Sequence, residues 1–178
     1  MTTLLHICCG PCATATVGHW RDEGHDLVGF FHNPNIQPLL EFRRRLQGAR
    51  DLAKAVGLPL QEDLTYDPER WFAEVGSHGA ARCRRCIGAR LDRAAAAASA
   101  GGCAAFTTSL AISPWQDHEA IREEGARVGE THGVTFLYRD LRPLYRDSRR
   151  LARERGLYRQ QYCGCVLSEW ERYRDDGR

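Results

Sequence analysis

Apolar positions along the chain follow two periods. Residues 4–7, "LLHI", form a short near-continuous apolar run, as a strand buried on both faces presents, and the run stops at Cys8. Residues 13–23 read as a helix stopped by Gly24. Residues 27–31 read as a second strand, ending in "HNPNIQP", whose two prolines and two asparagines exclude a continuing helix or central strand. An Arg-rich amphipathic helix follows over 39–56, closed by Gly57, and then a short strand near 58–61. Asp67-Pro68 reads as an N-cap with Pro at the first helical position, opening a helix through Val75. Residues 76–82 read as a loop leading to Cys83, and the alanine-rich run 87–100 as a helix stopped by Gly101-Gly102. Residues 104–108 are the next strand. Ser113-Pro114-Trp115-Gln116 has the form of a capping box, starting a helix to His132. A strand over 134–138, a helix over 146–155, the string "YRQQYCGC" and a last polar helix complete the chain.

Strands alternating with helices predict an α/β fold: a single three-layer domain with a mostly parallel, Rossmann-like sheet. Ligands on such sheets gather at the carboxyl ends of the strands. The loops 8–12, 33–38 and 110–113 all follow strands and are expected to share one rim. The 178 residues suffice for one hydrophobic core, with neither internal repeats nor a linker. There is no basic n-region before an apolar core at the start and no apolar run near the ~20 residues of a membrane span. The expectation is a soluble cytoplasmic protein with no membrane partner.

A net charge of +2 does not by itself mark a nucleic-acid binder. Lys54 is the only lysine among 25 basic residues, so arginine supplies the rest. Arg43, Arg44 and Arg45, like the groups 82–85 and 142–150, have the chemistry to grip phosphates in two-pronged fashion, or to line solvated helix faces.

The eight cysteines change the picture most. In a reducing compartment, thiols are more often metal ligands or catalytic groups than structural disulfides. Seven of the eight fall into three groups, Cys8-Cys9-x-x-Cys12, Cys83-x-x-Cys86 and Cys163-x-Cys165. Cys103, alone beside a strand, is expected to pack in the core. A Cys-x-x-Cys pair on a tight turn presents two thiolates to one metal, and the arginines around Cys83 and Cys86 favour the thiolate. Four thiolates complete a tetrahedral zinc site or a 4Fe-4S cluster. Seven fit two zinc sites sharing a thiolate, or one iron–sulfur cluster beside a second metal or a redox dithiol. The Cys163-Gly164-Cys165 pair suits either a strained, labile disulfide or a chelate. The loop after the first strand lacks the glycine-rich cradle of an ATP site.

The strings "HICCGPC", "FFHNPNIQP", "RCRRCIGARL", "FTTSLAISPWQ" and "GLYRQQYCGCVLS" together resemble the epoxyqueuosine reductases of the QueH type, in order over nearly the whole chain. The resemblance implies a single iron–sulfur domain over residues 1–178, on a sheet similar to the adenine-nucleotide alpha-hydrolase (HUP) group. It implies a cobalamin-independent enzyme that reduces the epoxide of epoxyqueuosine at the wobble position of a GUN-type tRNA anticodon loop, drawing on an external electron donor. Carried over by position, Cys8, Cys9, Cys83 and Cys86 resemble the ligands of a 4Fe-4S cluster. Cys163 and Cys165 resemble a pair that forms a redox disulfide or holds a second, mononuclear iron. Some members carry aspartate where this chain has Cys12, as a ligand of that iron, which would bind the epoxide oxygen as a Lewis acid. Tyr162, Asp117 and His32 are candidate proton donors. Asn33, Asn35 and Gln37 are candidates for contacts to the modified base, Trp115 for stacking, and Arg43, Arg44 and Arg45 for phosphates. The competing reading is a structural zinc-binding nucleic-acid module without catalysis.

Overall fold

The structure is a computed structural model and describes residues 1–76 and 79–175. Five strands form one parallel sheet: β1 (Thr2–His6), β2 (Asp26–His32), β3 (Leu60–Asp63), β4 (Ala105–Thr108) and β5 (Thr135–Phe136). Their order is β3-β2-β1-β4-β5. From β1 the chain builds outward to β2 and β3 on one side, then returns to lay β4 and β5 on the other. The crevice between the ends of β1 and β4 is therefore the topological switch point, where open α/β sheets bind ligands.

Period-two alternation sorts the strand side chains into two layers. Leu5, Ile7, Leu27 and Phe31 face α1 (Gly10–Asp22), α2 (Leu39–Val56) and Ala152 of α6 (Tyr145–Glu154). Leu4, Phe30 and Phe106 face the other way, onto α4 (Gly79–Ala100) and α5 (His118–His132). Two short helices, α3 (Pro68–Val75) and α7 (Val166–Tyr173), add to the carboxyl-end rim. Cys103 lies in the second core with Leu4 and Phe106, as expected of a lone core cysteine. Gly10 is required where α1 crosses α2, because a Cβ there would stand 2.5 Å from the carbonyl oxygen of Gly48. That close crossing fixes where the cysteine loop enters α1. No helix among the described residues is long and apolar enough to cross a membrane.

Four boundaries depart from the sequence reading. The first α-helix already begins at Gly10, so Cys12 belongs to its first turn. The long helix begins at Gly79, so Cys83 and Cys86 lie on a helix and not after a loop (Ser77 and His78 lie outside the described residues). Ser113-Pro114 does not cap α5. Asp117 does, its carboxylate accepting from the Ala120 N–H at 2.9 Å, because only that side chain reaches the free amides of the first turn. The last strand is two residues long, since Phe136 is the last residue paired with β4.

Candidate metal centre

The apolar β1 carries the chain to the switch point and delivers Cys8 there. Cys9 is the N-cap of α1, and Cys12 follows one turn in. The three sulfurs lie within 4.8 Å of one another, and the Sγ atoms of Cys8 and Cys9 are 3.8 Å apart. The positive end of α1 favours negative charge at this point. Hydrogen bonds from the Cys12 and Cys9 thiols hold Cys8 well below the ordinary thiol range, although burial opposes this. Burial pushes Cys9 well up, and donation to Cys8 does the same for Cys12. The three sulfurs thus share one small volume at the helix end, where they can be ligands to one metal.

The second group is built by α4 and the C-terminal segment. Cys83 and Cys86, one helical turn apart, project from the same side of α4. The tight turn expected of this pair is thus replaced by a helix. Cys86 packs with Trp71, Val75 and Cys165, and burial pushes its thiol up to about 11, with charge on Cys163 and Cys165 adding to the rise. Cys165 caps α7, its Sγ accepting from the Ser168 N–H at 3.3 Å. Arg82, itself buried, clamps Glu171 through two bonds of 3.0 and 3.1 Å, which ties α7 to α4. All eight cysteines are free thiols.

The loop after β2 supports this second group and does not face an open site. Asn33 is fully buried and its amide donates to the Ile7 carbonyl at 2.9 Å. Gln37 receives the Val166 N–H on its side-chain oxygen at 3.2 Å, and its own N–H donates to the Gly164 carbonyl at 2.9 Å. Asn35 is buried so close to Gly164 that a Cβ there would lie 2.5 Å from the Asn35 Nδ2. Asn35 and Gln37 thus pack on the Cys163–Cys165 segment and Asn33 ties the loop to the end of β1 beside Cys8, so all three are buried in structural contacts instead of facing a base as expected.

Arg45 is corrected likewise. It is 3% exposed, bonds Glu41 at 2.7 Å, and donates to the Cys163 and Tyr162 carbonyls at 2.7 and 3.0 Å. Three of its five N–H donors are engaged inside the protein, one on each nitrogen, and the buried guanidinium is not presented to a phosphate in solvent. Arg43 and Arg44 of the same triplet are exposed. Among the proton-donor candidates, Asp117 is spent on its helix cap. His32 is buried at the end of β2, 3.3 Å from the Asp63 carboxylate, and burial lowers it to about 4. Tyr162 donates to the Gln37 carbonyl at 2.5 Å, and burial raises its phenol to about 12.

A cavity of about 360 Å³ opens over the switch point, lined by Cys8, Cys12, Cys163, Tyr162, Arg149 and Arg172 among others, with Trp115 at its wall and 80% exposed. Around it, sulfurs meet donors that no motif announced. The Ser109 hydroxyl donates to Cys8 at 3.3 Å, the Gln160 amide to Cys12 at 3.4 Å, and the Gln116 amide to Cys163 at 3.2 Å. Arg82 lies 3.6 Å from the Cys83 sulfur. With Ser168 on Cys165, five of the seven clustered sulfurs accept a hydrogen bond from outside the cluster. Donors converging on sulfur suit thiolates and the ligands of a metal, whose charge is held by such outer contacts.

Comparison with known proteins points the same way. The model of the family described as "Epoxyqueuosine reductase QueH" matches residues 3–171. A protein of that name from Dehalococcoides mccartyi is 41% identical over 171 residues, covering 96% of this chain and 93% of the relative. One from Thermotoga maritima is 37% identical over 180 residues, covering 96% and 92%. The fold is similar to that of a predicted subunit of tRNA methyltransferase from Methanocaldococcus jannaschii, with TM-score 0.54 and 12% identity over 88% of this chain and 89% of that one. It is also similar to a deacetylase of teicoplanin biosynthesis, with TM-score 0.53 and 15% identity over 87% and 86%. At 12% and 15% identity both likenesses show the fold alone, and they agree with the alternating strand–helix pattern.

Proposed function

The chain belongs to the QueH family of epoxyqueuosine reductases, and from that premise we propose that it converts epoxyqueuosine to queuosine at the wobble position of a GUN-type tRNA anticodon. The net change is an epoxide plus two electrons and two protons giving an alkene and water. The observation that carries the redox reading is the set of outside donors on five clustered sulfurs. We take the whole chain as one iron–sulfur domain, with Cys8, Cys9, Cys83 and Cys86 holding a 4Fe-4S cluster. Cys12, Cys163 and Cys165 then hold a second iron or act as a redox dithiol. Such a group would supply the two electrons, replenished from an external donor.

The chain's own residues do the rest. The buried loop 33–38 and Arg45 hold Cys163 at the cavity wall, where Gln116 and Ser109 fix the sulfurs they touch. Tyr162 alone of the three expected proton donors lines the cavity, and its raised phenol stays protonated at neutral pH. We place the donor there, the Gln37 carbonyl steering its hydroxyl. Tyr162→Phe is then expected to lower turnover about 10²-fold or more while leaving iron content unchanged. Wild-type turnover in that variant would remove Tyr162 from the reaction.

RNA is gripped at the mouth. Arg149 and Arg172 form no ion pair among the described residues, and Trp115 offers an open aromatic face beside them. Replacing both arginines with Gln is expected to weaken tRNA binding at every sequence and to flatten its salt dependence by about two units of slope. Trp115→Ala should cost about 1–3 kcal/mol of binding through lost base stacking. Filter binding at three salt concentrations reads both effects, and unchanged slopes would place the RNA elsewhere. The overall reading is tested by anaerobic purification, iron and sulfide counts, and nucleoside mass spectrometry of epoxyqueuosine-containing tRNA. A colourless protein that holds zinc after iron reconstitution, and leaves the epoxide intact, would overturn it.

A further inference from the structure

Arg90, on the same side of α4 as Cys83 and Cys86, is 2% exposed and is one of the largest fully buried side chains of the molecule. Its Nε donates to the Cys86 carbonyl one turn back, at 3.2 Å. No carboxylate pairs with its guanidinium among the described residues. The other two buried arginines differ in this respect, since Arg45 has Glu41 and Arg82 has Glu171. A guanidinium does not give up its proton in a protein, so burial without an anion is strongly unfavourable. Burial acts against the charge of Arg90, and the groups that can offset it are thiols: Cys86 one turn back on the same face of α4, with Cys163, Cys8 and Cys165 near enough for their charge, once they are ionised as metal ligands, to favour the cation. The nearby histidines cannot serve as anions: His6 and His32 are both held to about 4 by burial, and Arg90 lowers them further. With no carboxylate paired to it among the described residues, the groups beside this cation that can carry negative charge are the thiols.

We propose that Arg90 is the counter-cation of the thiol centre, a positioning residue whose fixed charge favours binding of an anionic metal–thiolate group and raises that group's reduction potential. The inference rests on the reading that the thiols hold a redox metal. Adding an electron to such a group adds negative charge, and a cation in a low-dielectric surrounding stabilises the reduced form.

The test uses the full chain with Arg90→Met, which removes the charge, and Arg90→Lys, which keeps it. Urea unfolding of the metal-free, reduced proteins, Co²⁺ titration followed by thiolate charge-transfer absorbance, and a spectroscopic redox titration with dithionite are compared. Metal-free Arg90→Met is expected to be at least as stable as the wild type, because an uncompensated charge has gone. It should bind Co²⁺ at least tenfold more weakly, and the loaded protein should titrate at a more negative potential. Arg90→Lys should recover most of both effects. Unchanged Co²⁺ affinity and potential in Arg90→Met would overturn the proposal, whether or not the variant is less stable. Should Arg90→Met not fold, Arg90→Gln replaces it under the same criteria. A wild type that takes up no iron would overturn the iron–sulfur reading, while the Co²⁺ titration would still decide the role of Arg90.

Discussion

Cys83→Ala is expected to lose iron and turnover together, whereas Cys103→Ala keeps both. Cys83 stands on α4 beside Arg82, whose guanidinium reaches its sulfur at 3.6 Å, and opposite the Cys163–Cys165 segment that the Arg82–Glu171 clamp holds in place. Losing an outer contact of a metal site commonly costs 10- to 100-fold, so losing a ligand should cost on the order of a hundredfold or more in turnover. Iron should fall in the same preparation. Cys103 has the same chemistry in the wrong place, among Leu4, Leu91 and Phe106 in the core. Its replacement removes a small apolar group and should cost about 1–2 kcal/mol of stability with no loss of iron. Paired iron analysis and nucleoside mass spectrometry on the two variants check this. Iron and turnover surviving in Cys83→Ala would mean that the pair on α4 is not part of the centre.

The contrast between these two cysteines was legible in the sequence, because spacing separates a clustered thiol from a solitary one. The sheet was legible for a related reason: a parallel strand buried on both faces leaves a short apolar run, and Gly24, Gly57 and Gly133 mark where helices stop. What could not be read was the burial of charge. Arg45 sits in an arginine triplet that looks like a solvated helix face, yet its neighbours Arg43 and Arg44 are exposed while it faces inward. Arg90 carries no signal in "CIGARL", since an arginine on an amphipathic helix is expected to face water. Gln116 and Gln160 were inside the diagnostic strings, but a glutamine aimed at sulfur has the same sequence as one aimed at solvent. Helix start sites shifted as well. At α4, Glu171 bonds Arg82 and Trp71 packs against Cys86, contacts between segments far apart in sequence that the local pattern does not show.

Arg45→Met should destabilise the protein by about 3–5 kcal/mol and loosen the cysteine segment as well. Breaking a buried ion pair leaves the surviving charge without a partner, and Glu41 is only 5% exposed. The Tyr158 hydroxyl still donates to Glu41 at 2.6 Å, which satisfies one oxygen but not the charge. The two carbonyl bonds from Arg45 to Tyr162 and Cys163 go at the same time, so the loss has two separable parts. Removing both charges, as in Glu41→Leu with Arg45→Met, should recover much of the stability. It cannot restore the bonds to Tyr162 and Cys163, so turnover should stay low. Urea unfolding together with iron loading separates the parts. If Arg45 contacted phosphate, the single variant would keep its stability and iron and lose only tRNA affinity. That outcome is incompatible with a guanidinium whose nitrogens already serve one carboxylate and two carbonyls.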